Sequence, residues 1–108
     1  MSRGSAKARD AIEFLRWCEG RRRRLAQVAE LALEAPRSVA RESLCRLILV
    51  ELENCLEMVV SASVLALEQE VGGSPSHVLP PIDMTAIEAV DAEIHLQALA
   101  LSTAAGTA

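Results

Sequence analysis

Residues 38–71 read SVARESLCRLILVELENCLEMVVSASVLALEQEV, and this stretch decides the fold. Cys45, Ile48, Leu52, Cys55, Val59, Ala62 and Ala66 follow one another in alternating steps of three and four. That is the heptad seam of a helix, not the period-two alternation of a strand. A second apolar row, Leu49, Leu56, Val60 and Leu67, flanks the seam on one side. Leu44, Leu47, Met58 and Leu65 flank it on the other. On a helical wheel the combined apolar arc is about 220° wide. A single neighbouring helix covers a stripe of about 100°, so this helix requires at least two partners. Ser38, just after Pro36, is the expected N-cap.

Working outward, Pro36 separates this helix from a segment of about residues 6–34. Ala8, Ala11, Ile12, Leu15, Cys18, Leu25, Val28, Ala29 and Ala32 fall there at helical spacing. Gly72-Gly73-Ser74-Pro75, then Pro80-Pro81, end the central helix. A third helix of about residues 84–102 follows. Thr85 and Glu88, three apart, form the expected capping box, with Asp83 as the alternative cap. Ile87, Val90, Ile94, Ala98 and Leu101 make its core stripe. The small residues from Thr103 to Ala108 are expected to form a flexible tail. The fold class is therefore all-α: one domain over residues 1–108, built as a helical hairpin plus a shorter third helix. Three helices leave apolar surface over, so a second copy is expected to complete the bundle.

Composition agrees with this reading. The chain has 108 residues, 51% of them hydrophobic, with no Tyr, and Phe14 and Trp17 are its two aromatics. A β-sandwich or barrel needs alternating β-branched and aromatic residues, and a doubly wound α/β enzyme needs more chain and Gly-rich turns. Met1 to Asp10 carries no apolar run, so no secretory signal is expected. The most hydrophobic window, Leu44 to Leu67, is interrupted by Arg46, Glu51, Glu53 and Glu57, which argues against a membrane-spanning helix. Cys18, Cys45 and Cys55 show no CxxC spacing. Cys45 and Cys55 stand about 15 Å apart along one helix and cannot bridge within it. Each cysteine reads as a small buried hydrophobe, and three free thiols point to the cytoplasm.

Charge is distributed unevenly. All 11 basic residues lie at or before Arg46, whereas residues 47–108 contain nine acids and no base. Arg21 to Arg24 form an uninterrupted run. Four consecutive residues sweep about 300° of a helix, so at least one arginine must turn toward the core edge, where it snorkels or pairs with an acid. Arg16, Arg21, Arg22, Arg23, Arg24 and Arg41, with Arg37 nearby, are the candidates for contact with an anion or with nucleic-acid phosphate. The acidic balance of the chain and the lack of aromatics within the run weigh against that role. The competing expectation is that the run faces acids such as Glu88, Asp91 and Glu93.

No catalytic, cofactor-binding or metal-binding constellation is expected. Glu88, Asp91 and His95 share a helix face, but their spacing does not match a di-iron bundle. His77 sits in the Pro/Gly/Ser linker. The function this sequence supports best is a non-enzymatic helical interaction module, dimeric for preference, that docks on a larger protein. Its expected interface draws on Leu49, Leu52, Leu56, Val59, Val60 and Trp17. The alternative is a nucleic-acid-associated small subunit or regulator using the arginine run. The two are told apart by where Arg21 to Arg24 point.

Overall fold

The computed structural model describes residues 3–72 and 82–107, and the side chains of residues 11–72 and 82–103. The described residues form three α-helices and no strand: α1 (Arg3–Glu34), α2 (Val39–Glu70) and α3 (Met84–Thr107). The linker from Gly73 to Pro81, His77 included, lies outside them. Packing divides the chain into two compact units. Unit 1 comprises Met1–Arg22 and Glu53–Pro81; unit 2 comprises Arg23–Leu52 and Ile82–Ala108.

The helix ends follow from local chemistry. At the end of α1 the Ala35 amide donates to the Ala32 carbonyl at 3.2 Å, a tightened final turn, and Pro36 cannot continue the helix. Ser38 caps α2: its Oγ accepts from the Arg41 amide at 3.1 Å. Its carbonyl takes the Glu42 amide at 3.1 Å. Gly72 ends α2 with φ +75, the left-handed backbone that favours glycine just past a helix, and its amide donates to the Gln69 carbonyl at 3.3 Å. At α3 the sequence pattern misleads. Asp83, not Thr85, is the cap: Asp83 Oδ1 accepts from the Ala86 amide at 3.1 Å, and the Asp83 carbonyl from the Ile87 amide at 3.1 Å. A cap two residues ahead of Thr85 places Thr85 and Glu88 inside the helix, where a capping box cannot form. The far end also differs from the sequence reading. The helix runs on through Thr107 where a flexible tail is expected from Thr103, Ala104 and Ala105 being strong helix formers.

Unit 2 holds the larger of the buried hydrophobic side chains. Leu25, Val28 and Ala32 of α1 meet Leu44 and Ile48 of α2 and Ile94 of α3, all buried. Cys45, Leu47, Leu52, Val90, Ala98 and Leu101 pack around this cluster, half-buried. Three helical segments therefore share one apolar centre, with one helix face from each.

Unit 1 is built on a seam of small residues. Ala11 and Cys18 of α1 are buried seven residues apart, and Cys55 and Ala62 of α2 likewise. Small side chains at this repeat let backbones approach closely. The Cys55 thiol donates to the Cys18 main-chain carbonyl at 3.3 Å. Phe14 and Trp17 stack with ring centroids 5.8 Å apart and planes inclined by 23°. Both are half-buried.

The α3 cap is open to direct test. Asp83→Ala should lower stability by about 1 kcal/mol in urea unfolding, and Thr85→Ala by a few tenths. Equal losses at the two positions would return the cap to Thr85.

Candidate interaction surface

The α2 seam is used unevenly. Ile48, Cys55 and Ala62, one heptad apart, are at most 2% exposed. Cys45, Leu52, Val59 and Ala66 complete the seam and are half-buried. Leu44 on one flank is fully covered, and Leu47, Met58 and Leu65 partly so. The opposite flank is not covered. Leu49 is 56% exposed, Leu56 63%, Val60 54% and Leu67 67%. Val50 and Val71 extend the open surface. Apolar side chains scattered singly over a surface need no explanation, but four large ones in one row along one helix do.

Of the residues expected at an interface, Leu49, Leu56 and Val60 lie in this open row. Leu52 packs against the core cluster of unit 2. Val59 and Trp17 are half-buried. Leu67 belongs to the row although it is missing from the expected set. Its spacing from Val60, one heptad, is the signal that identifies it. On α3, Leu96 and Leu99 are also more than 60% exposed.

The arginine run does not act as one surface. Arg21 is 1% exposed and is among the largest fully buried side chains. It is therefore removed from the candidates for direct contact with an anion. The reason is geometric: Cys18 and Arg21 are three residues apart, so they share a helix face, and that face is the buried one. The Arg21 charge lies near enough to Cys18 and Cys55 to act on both thiols. Arg22 is exposed and is held by Glu19 of its own helix through two bonds. Nε donates to Oε2 at 2.9 Å, and Nη2 to Oε1 at 2.6 Å. This fork raises the Arg22 pKa above its ordinary value. The acid that Arg22 meets is thus three residues back on α1, not on α3. Arg16, Arg23 and Arg24 are exposed, and Arg41 is half-buried at the start of α2.

The thiols are similarly constrained. Burial pushes the Cys18 thiol up to about 11, with neighbouring Cys55 adding to the rise and Arg21 opposing it. Burial also raises Cys55, again against the pull of Arg21. Both stay protonated near neutrality, the state of an unreactive structural cysteine. Among the described residues, no group of three or more His, Cys, Asp and Glu side chains could hold a metal ion. His95 is exposed. An open groove in unit 2, lined by Val39, Ser43, Gln97 and Leu101 among others, contains no titratable side chain. Among the described residues, no helix is long and apolar enough to cross a membrane.

Two measurements check this placement. Arg21→Ala should lower stability by about 2 kcal/mol because a packed stem is lost, whereas exposed Arg24→Gln should change it by less than about 0.5 kcal/mol. The raised Cys18 pKa sets the second. The folded state holds this proton more tightly than the unfolded chain, so its contribution is complete below pH 9 and is lost as pH rises toward about 11. Unfolding midpoints followed across that window should fall, and Cys18→Ala should flatten the fall.

No protein family model, curated protein sequence or solved structure matches this chain.

Proposed function

We propose that this protein is a non-enzymatic helical assembly module that associates with itself and docks on a larger protein partner. One observation carries the reading: the row Leu49, Leu56, Val60 and Leu67, each more than half exposed along a single helix. Covering such a row releases apolar surface from water at about 25 cal/mol per Å², the driving force for most protein association. One charge, Glu53, falls within the row between Leu49 and Leu56, and Glu57 stands beside it.

The alternative, contact with nucleic acid through the arginine run, is weakened by two of its four members. Arg21 is buried and Arg22 is engaged by Glu19. Phosphate binding would have to draw on Arg16, Arg23, Arg24 and Arg41. A salt titration separates the readings, since each phosphate neutralised on duplex DNA contributes about 0.9 to the log–log slope.

Light scattering on the purified chain should give a mass above the 11.6 kDa of one copy. Leu56→Asp should return it to one copy, because a contact that buries an unpaired carboxylate is lost. Since Leu56 is 63% exposed in the single chain, helix content should survive the change. A wild-type particle of one copy that binds duplex DNA at physiological salt, and loses it on Arg23→Gln with Arg24→Gln, would replace the assembly reading with the nucleic-acid one.

A further inference from the structure

The open row of α2 has a symmetry that packing within one chain does not require. Leu49, Leu56, Val60 and Leu67 are separated by seven, four and seven residues. The row therefore reads the same from either end, about the level of Met58. Filled out in steps of three and four, it gains Glu53 and Ser63 inside and Arg46 and Glu70 at its two ends. Arg46, Glu53 and Glu70 are exposed, and Ser63 is half-buried.

An antiparallel two-fold contact pairs each position with the one equally far beyond the centre on the other copy. Centred at Met58, Leu49 of one copy meets Leu67 of the second, and Leu56 meets Val60. Glu53 meets the small Ser63, and Arg46 meets Glu70. Every layer occurs twice. Each is apolar on apolar, opposite in charge, or a carboxylate beside a hydroxyl. Neighbouring registers lose this match. A centre half a heptad earlier sets Glu53 on Leu56, and one half a heptad later sets Glu53 on Glu70. A parallel, in-register pair stacks Arg46 on Arg46, Glu53 on Glu53 and Glu70 on Glu70. Like charges facing each other are a standard means of rejecting a wrong pairing.

We propose that two copies of this chain pair antiparallel along Leu49, Leu56, Val60 and Leu67 of α2, about a two-fold axis at the level of Met58, with Arg46 and Glu70 closing both ends. The proposal rests on the self-association reading above and gives it an occupant, a direction and a register. The second copy is chosen on charge complementarity: the row is complementary to itself in this one direction.

Sedimentation equilibrium of the full chain at low salt tests the pairing. Wild type should dimerise. Arg46→Glu and Glu70→Arg each place two like-charge contacts in the dimer, and each should weaken it by about tenfold. The variant carrying both changes restores opposite charges at both ends and should recover wild-type affinity, which also controls for folding. Disulfide trapping gives the direction independently. Leu49→Cys should not crosslink to itself, since the two copies of position 49 lie about 27 Å apart along the helix axis. A mixture of Leu49→Cys and Leu67→Cys should crosslink, beyond the background from the native thiols in wild type. A dimer indifferent to both charge reversals, or one in which Leu49→Cys crosslinks to itself, overturns this pairing and leaves self-association standing. A wild-type chain that stays monomeric up to about 1 mM overturns both.

Discussion

α2 is apolar around more of its circumference than the described residues cover, and its buried and open rows together organise the packing. Its most deeply buried row, Ile48, Cys55 and Ala62, changes in size along the helix. In unit 2 the row offers Ile48 beside Leu44, and segments of three helices meet there, so larger side chains fill the space between three axes. In unit 1 it offers Cys55 and Ala62 against Cys18 and Ala11. Small residues suit a contact of two helical segments, because they bring main chains close enough for a thiol to reach a carbonyl. Among the buried hydrophobic residues, side-chain size thus follows the number of helical segments that share the centre, with the buried Arg21 of unit 1 outside that rule.

The helices were legible because their signals are redundant. Pro36 stops α1, Ser38 starts α2, and the three- and four-residue steps along each admit no strand. The α3 cap was not legible to the same degree. Asp83 and Thr85 are both good caps, and Glu88 stands where a capping box on Thr85 would need it. The choice depends on where the backbone turns into the helix, which a pattern of side chains does not record. The extent of α3 was also under-read, because a run of small residues suits both a frayed tail and an alanine-rich helical end. Periodicity identified every row on α2 but could not say which flank stays open. That depends on where the neighbouring helices lie, which is tertiary information. Hence Leu49 and Leu47, equally apolar and on opposite flanks, have different exposures.

The arginine run shows how a conspicuous one-dimensional feature disperses in three dimensions. A helix turns consecutive residues by about 100°, so four like charges in a row cannot form a patch. Arg21 falls on the face of Cys18 and is buried, where it opposes the rise of both thiol pKa values. Arg22 falls on the face of Glu19 and is bound by it. The sequence required that at least one arginine turn inward. Which one follows from the position of Cys18, whose burial was itself readable from the helical spacing of the apolar residues along α1. Among the described basic residues, Arg16, Arg23, Arg24, Arg37 and Arg46 are exposed, where screening limits the reach of each charge to about 10 Å at ordinary salt.

The two aromatic rings of the chain, Phe14 and Trp17, both lie in unit 1. Unit 2 is assembled from aliphatic residues and so has no chromophore of its own in the near ultraviolet. Intrinsic fluorescence therefore watches one half of the molecule, while amide absorbance registers the helices of both. The single indole, stacked on Phe14 and half-buried, makes the chain its own reporter of whether the two halves melt together. Coincident transitions would mark one cooperative molecule, and an indole signal that moves first would mark the small-residue seam as the earlier to open.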